Sequence, residues 1–262
     1  AIVSGAFLRD GIDVRLNTEV KRVTVAGYEK RVHLRRADGF EDVVIADEIL
    51  IGAGRVPNVE GLNLEGVGVA YDRQKGIEVN DFLQTANPRI YAAGDICQAH
   101  KFTHTADASA RIVIQNALFR GRKRYSALTI PWCTYTDPEI AHVGMYERDA
   151  RERGIPVDTF VREMKEVDRA IADGEEEGFV KVHVRKGTGK ILGATIVARH
   201  AGEMINEISL AMVGGIGLGT IGSVIHSYPT QAEAIKQVAD QYNRTRLTPF
   251  VRKLLAWWLK LI

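Results

Sequence analysis

Residues 224–233 read VIHSYPTQAE. His226, Tyr228, the Pro229-Thr230 step and Glu233 stand together there, between a glycine-rich segment and a helix-like run. These are groups that move or hold protons. A histidine titrates near pH 6.5 and a tyrosine near about 10. Tyr228 is therefore a poor general base at neutral pH and a good hydrogen-bond donor. Pro229 restricts Tyr228 to an extended conformation. Alternate residues of an extended segment share a face, so His226 is expected beside Tyr228 as a candidate base. A structural histidine in a buried turn is the other reading.

A second group of residues lies nearer the start. Asp95 follows Gly94 at the end of NPRIYAAGDI. A carboxylate there accepts hydrogen bonds from sugar hydroxyls, and the glycine lets a ligand approach the backbone. A turn-capping aspartate is the plainer alternative. Thr103 opens the helix-like run THTADASARIVIQNALFR as its N-cap. The orphan N–H groups at such an end favour an electron-rich atom, and His104 lies near the same edge. Gly54 and Arg55 follow an apolar run in ILIGAGRVP, where glycines mark a tight turn or the approach of a ligand. Cys97 and Cys133 match no redox or zinc spacing and read as buried small side chains, so no metal site is expected. Such low cysteine use suits a reducing cytoplasm.

The elements that must hold these groups follow from periodicity. IDVRL, EVKRVTV and RVHLRR alternate as strands, with ADG at 37–39 as a hairpin turn. DEILIGAG reads as an apolar strand. In the run from Thr103, Ala106, Ala110, Ile114 and Ala117 are expected to share the packed face. GRKRYSAL at 121–128 is a basic connector between domains. Beyond it, FVKVHVRKGTGKILGATIVA reads as a β-hairpin turning at Gly187-Thr188-Gly189. AGEMINEISLAMVGG and TQAEAIKQVADQYNR read as amphipathic helices, and DGEEEG at 173–178 as a solvated acidic loop. The chain is thus expected to combine α/β and α+β parts, with an antiparallel sheet in the second.

Of the 262 residues, 45% are hydrophobic and 26% charged, as in ordinary globular domains, and the net charge of +2 gives no footprint for a nucleic-acid partner. The tail 244–262, RTRLTPFVRKLLAWWLKLI, stands apart, with five basic residues and no acidic one. Arg252, Ala256 and Lys260 form a narrow stripe on an otherwise apolar helix, which is too short to span a bilayer. Two readings stay open: an interfacial helix touching a membrane surface, or a helix packed on another subunit or on further chain. A non-catalytic dimerisation or membrane-docking module is the matching alternative for the whole chain.

Taken together and in order, ILIGAGRVPN, TANPRIYAAGDI, YTDPEIAHVGMYERDA, GFVKVHVRKGTGKILGATIVARHAGEMINE and HSYPTQAE resemble the flavin-dependent pyridine nucleotide–disulfide oxidoreductases, a family that includes dihydrolipoamide dehydrogenase and mercuric reductase. The resemblance implies a C-terminal fragment. Residues 1–57 would be the end of an NAD(P)-binding domain, 58–125 the end of an FAD-binding domain, 126–243 a dimerisation domain, and 244–262 a basic amphipathic tail. It implies FAD and NAD(P)H as cofactors of the complete protein, a homodimer through the C-terminal domain, and a redox cysteine pair upstream. An isolated fragment of this kind is expected to be colourless and inactive. By resemblance Asp95 would bind the ribityl chain, the Thr103 N–H the flavin pyrimidine oxygen, with His104 close by, and Gly54 and Arg55 the dinucleotide. Tyr228 stands where disulfide-reducing members carry a proton-relaying histidine, and Glu233 where they carry the glutamate that orients it. Tyrosine at this position resembles the mercuric reductases, though the vicinal cysteines that end those enzymes have no counterpart in WWLKLI.

Overall fold

The computed structural model describes residues 1–260. In chain order the helices and strands are α1 (Ile2–Arg9), β1 (Thr18–Ala26), β2 (Glu29–Arg36), β3 (Glu41–Ala46), β4 (Tyr71–Asp72), β5 (Gly76–Ile77), α2 (Thr103–Leu118), β6 (Pro131–Thr134), β7 (Glu139–Gly144), α3 (Glu147–Glu152), β8 (Val157–Glu163), α4 (Asp168–Asp173), β9 (Phe179–Arg185), β10 (Ile191–Ala198), α5 (Ala201–Val213), α6 (Leu218–Ile221), α7 (Glu233–Thr245) and α8 (Pro249–Trp258). The chain divides into two compact units, Phe7–Phe119 and the residues from Arg120 onward together with Ala1–Ala6.

In the first unit β1, β2 and β3 form an antiparallel sheet in chain order. EVKRVTV and RVHLRR are its first two strands, and Gly39 turns the second hairpin at φ +88°. Two expected strands are absent. IDVRL is irregular, and so is DEILIGAG, whose Leu50 and Ile51 are 99% and 82% exposed. An apolar run of that kind becomes a strand when neighbours cover both its faces. Among the described residues no strand pairs with it. Residues 58–98 fold as loops and the short β4–β5 ladder around Val59, Leu64, Val69, Ile77 and Ala92.

Helix α2 forms where its pattern places it but buries another face. Thr105, Ser109, Ile112 and Asn116 are buried, whereas Ile114 and Ala117 are exposed. The neighbours of α2 are loops with backbone groups to satisfy, so polar side chains face them. Asn116 Nδ2 donates to Phe82 O at 3.1 Å, and Ser109 Oγ accepts the Gly94 N–H at 3.0 Å. The cap lies one residue earlier than expected: Phe102 is the N-cap and Thr103 the first helical residue.

The second unit is built on a five-stranded antiparallel sheet in the order β6-β7-β10-β9-β8. The β9–β10 hairpin forms as read, and Val180, Val182 and Val184 are fully buried on one face. Against that face lie Met204, Ile205 and Ile208 of α5 and Ile235, Val238 and Ala239 of α7, in one continuous core. Tyr242 of α7 meets Phe160 edge-on at 5.8 Å, with its hydroxyl directly over Gly189 in the hairpin turn. The acidic loop is less solvated than expected, because Glu175 binds Arg199 and Gln231.

The opposite face carries two buried histidines. His142 bonds Thr195 Oγ1 at 2.9 Å and Gly144 O at 3.0 Å, and stacks on Tyr146 at 3.8 Å. His183 bonds Thr159 Oγ1 at 2.9 Å. Burial is the main cause that holds both imidazoles below the ordinary histidine value.

Two measurable consequences follow from this sheet. The two histidines stay neutral when folded but charge readily when unfolded. The stability this gives is present above the unfolded value near 6.5 and is lost as pH falls from there through the depressed folded values. The urea midpoint should therefore drop between about pH 7 and pH 5, and His183→Asn should drop less; an equal drop in the variant would be the contrary result. Gly144 and Gly193 face each other across β7 and β10. Gly144 has φ +82°, and an added Cβ would fall onto Leu192 O and within 2.8 Å of Gly193 Cα. Gly154, at φ +64°, has nothing within 4 Å. Denaturation should show Gly154→Ala costing about 1–2 kcal/mol from backbone strain alone, and Gly144→Ala about 3–5 kcal/mol once overpacking is added.

Candidate functional site

In the first unit a short 3₁₀ turn, Gly94–Ile96, places Asp95. Gly94 takes φ +79°, and an added Cβ would stand 3.1 Å from the Ala106 Cβ, so the turn lies tight against α2. The Asp95 Oδ2 accepts from Arg55 Nη1 at 2.8 Å, and the same Arg55 nitrogen donates to Lys101 O at 3.1 Å. Lys101 Nζ in turn donates to Asp95 O at 3.1 Å. Arg55 and Asp95 are thus brought together across forty positions of sequence, a link that periodicity could not disclose. The Asp95 side chain is 39% exposed.

The start of α2 completes this region. Its first intrahelical acceptor is Phe102 O, which takes the Ala106 N–H at 2.9 Å. The N–H groups of Thr103, His104 and Thr105 precede that bond and open the helix. The Thr105 hydroxyl is buried with no hydrogen-bond partner. His104 stacks on Phe102 at 5.3 Å, and Phe102 on His100 at 6.2 Å. Gly54, at φ +102°, has open space where a side chain would stand. A carboxylate, a backbone-exposing glycine and a helix start fit a dinucleotide that brings hydroxyls and an electron-rich ring edge.

In the second unit the turn before α7 is arranged differently from the sequence expectation. His226 and Tyr228 do not share a partner. The His226 ring turns inward, with its side chain 8% exposed, and its Nε2 bonds Glu207 Oε1 at 3.0 Å and Oε2 at 3.2 Å. Its Nδ1 faces Val224 O at 3.3 Å. Tyr228 is 68% exposed and donates its hydroxyl to Asp168 Oδ2 at 2.8 Å. That bond, and the charge behind it, push the phenol above its ordinary value. Tyr228 therefore keeps its proton and acts as a donor. Glu233 starts α7, and among the described residues its carboxylate bonds neither His226 nor Tyr228.

Glu207 and Asp168 were not singled out by sequence. Glu207 lies on the polar edge of α5 beside the buried Ile205 and Ile208, a place where a solvated carboxylate is the ordinary expectation. The tertiary fold alone supplies its partner. The two cysteines are free thiols, each pushed up to about 11 mainly by burial, so neither is a thiolate at neutral pH. Among the described residues no cluster of ligands fits a metal ion.

Residues 1–110 match the model for the pyridine nucleotide-disulphide oxidoreductase domain, and residues 130–239 the model for that family's dimerisation domain. The chain belongs to the pyridine nucleotide-disulphide oxidoreductases. Members of the family are FAD-dependent and take electrons from NAD(P)H. Within the family, a mercuric reductase of Lysinibacillus sphaericus is 34% identical over 242 residues, covering 92% of this chain and 44% of that protein. A dihydrolipoyl dehydrogenase of Thermus scotoductus is 32% identical, covering 93% of this chain and 53% of its own length. The chain therefore spans about half the length of these relatives. Two solved structures are also similar. LpdA from Mycobacterium tuberculosis superposes with a TM-score of 0.84 at 28% identity, over 92% of this chain and 52% of that one. The HOCl-induced flavoprotein disulfide reductase RclA from Escherichia coli gives 0.80 at 26%, over 91% and 54%.

Proposed function

We propose that these residues serve a homodimeric FAD-dependent NAD(P)H oxidoreductase that passes electrons through a redox cysteine pair to a disulfide or metal-ion acceptor, in the manner of the mercuric reductases. In this reading residues 1–57 and 58–125 belong to the NAD(P)- and FAD-binding domains, and 126–243 form the dimerisation domain. The observation that carries it is the turn before α7, where a protonated phenol, Tyr228, occupies the place that the resemblance gives to the proton relay, and a buried imidazole, His226, two residues away is bonded to the partly exposed carboxylate of Glu207.

FAD, when bound, takes a hydride from NAD(P)H and releases the two electrons onward. Asp95 is the acceptor for a ribityl hydroxyl, held in place by Arg55 on its other oxygen. The opening N–H groups of α2 at Thr103 would hold the electron-rich edge of the ring, with His104 on the flank, and Gly54 and Arg55 would lie beside the dinucleotide. In the dimer the α7 turn lies over the partner subunit's redox centre. Tyr228 donates a hydrogen bond there and withdraws no proton. Glu233 faces the same turn and raises the Tyr228 value further.

The two acceptor classes make different demands. A disulfide takes two electrons and two protons to give two thiols. A divalent metal ion reduced to the element takes two electrons and no proton. His226, fixed by Glu207 as its positioning residue, is the local proton carrier for the first case only. In the complete enzyme His226→Ala should lower disulfide reduction by about 10²-fold and alter its pH–rate profile. Flavin reduction by NAD(P)H and metal-ion reduction should be unchanged. Glu207→Gln should alter the profile in the same direction by less. An unchanged profile in His226→Ala would overturn the proton role, and a protein whose flavin NAD(P)H does not reduce would overturn the enzyme reading.

A further inference from the structure

Helix α8 is used by neither candidate site. Thr248 caps it, accepting the Val251 N–H at 3.3 Å, and Pro249 occupies its first turn, so its start is fixed within the chain itself. Phe250, Leu254, Leu255, Trp257, Trp258 and Leu259 are between 40% and 73% exposed. At helical spacing these six fall on one continuous apolar arc. Arg252, Lys253, Ala256 and Lys260 fill the remainder. This is a wide hydrophobic face with nothing over it among the described residues.

We infer that α8 is an interfacial anchor that lays its apolar face into an anionic lipid surface. Charge selects this occupant. From Arg244 onward the chain carries Arg244, Arg246, Arg252, Lys253 and Lys260 and no carboxylate. A second copy would bring the same uncompensated cations to a two-fold contact. An anionic leaflet neutralises the tail's own Arg252, Lys253 and Lys260, and it receives the apolar face in the same contact. The two adjacent tryptophans suit headgroup depth, where a ring with one polar N–H is most stable. No helix among the described residues is long and apolar enough to cross a membrane. A helix of ten residues, about 15 Å long, lies in the plane of the surface instead. The match to the family's dimerisation domain ends at residue 239, before this helix begins. The last two residues of the expected tail, Leu261 and Ile262, lie outside the described residues.

The test is co-sedimentation of the whole 262-residue chain with two kinds of vesicle. One is phosphatidylcholine alone, and the other an equal mixture with phosphatidylglycerol. The chain should pellet with the anionic vesicles only, less so at high salt, with tryptophan emission moving to the blue. Arg252→Gln with Lys253→Gln should weaken binding by about 25-fold, at about fivefold per cation. Trp257→Ser with Trp258→Ser should abolish both pelleting and the emission change while the melting temperature stays the same. Equal binding to both vesicles, or to neither, would overturn the inference. So would a tryptophan double variant that turns a dimer into a monomer in sedimentation equilibrium, since a second copy would then cover the helix.

Discussion

Helix α5 is pinned to the sheet by Ala201, Met204, Ile205, Ile208 and Ala211, and its rotation about its own axis is set by that stripe. Burial of such side chains is worth roughly 1.5–3 kcal/mol for each of the large ones. No single polar contact in the unit competes with their sum. The position of Glu207 is therefore dictated by its apolar neighbours. Once α5 is seated, Glu207 has a fixed direction, and the His226 ring closes onto it. The chemistry of the α7 turn is thus anchored by a hydrophobic contact on α5.

The same dependence explains what could be read from residues alone. The β9–β10 hairpin, α5 and α7 were legible because each carries its own period and its own turn or cap signal. The glycines at 187 and 189, both at positive φ, fix the hairpin without help from distant chain. The runs IDVRL and DEILIGAG were misread because strand formation needs a neighbour, and sequence pattern carries no information on whether one is present. The packed face of α2 was misread for a related reason. Alanines and isoleucine look like a core stripe, but loops with unsatisfied backbone groups select serine and asparagine.

The candidate sites divide along the same line. Asp95, Gly94 and the start of α2 were legible as a candidate group because they are contiguous in motif. Their order along the chain is nearly their order in space. The pairs Arg55–Asp95, His226–Glu207 and Tyr228–Asp168 were not found, since each joins elements far apart in sequence. Glu233, the nearest carboxylate along the chain, bonds neither Tyr228 nor His226 among the described residues, and carboxylates on other helices, Asp168 and Glu207, take those places.

Tyr242 sits over the turn glycine at 189 while its ring edge meets Phe160. It belongs to the final turns of α7, a few residues before α8 starts. Helix α7 is therefore stitched at its far end to the tip of the central hairpin and to an edge strand. The helix that opens next to the His226–Tyr228 turn cannot swing without disturbing close-packed parts of the sheet, so the turn inherits the stiffness of the hairpin.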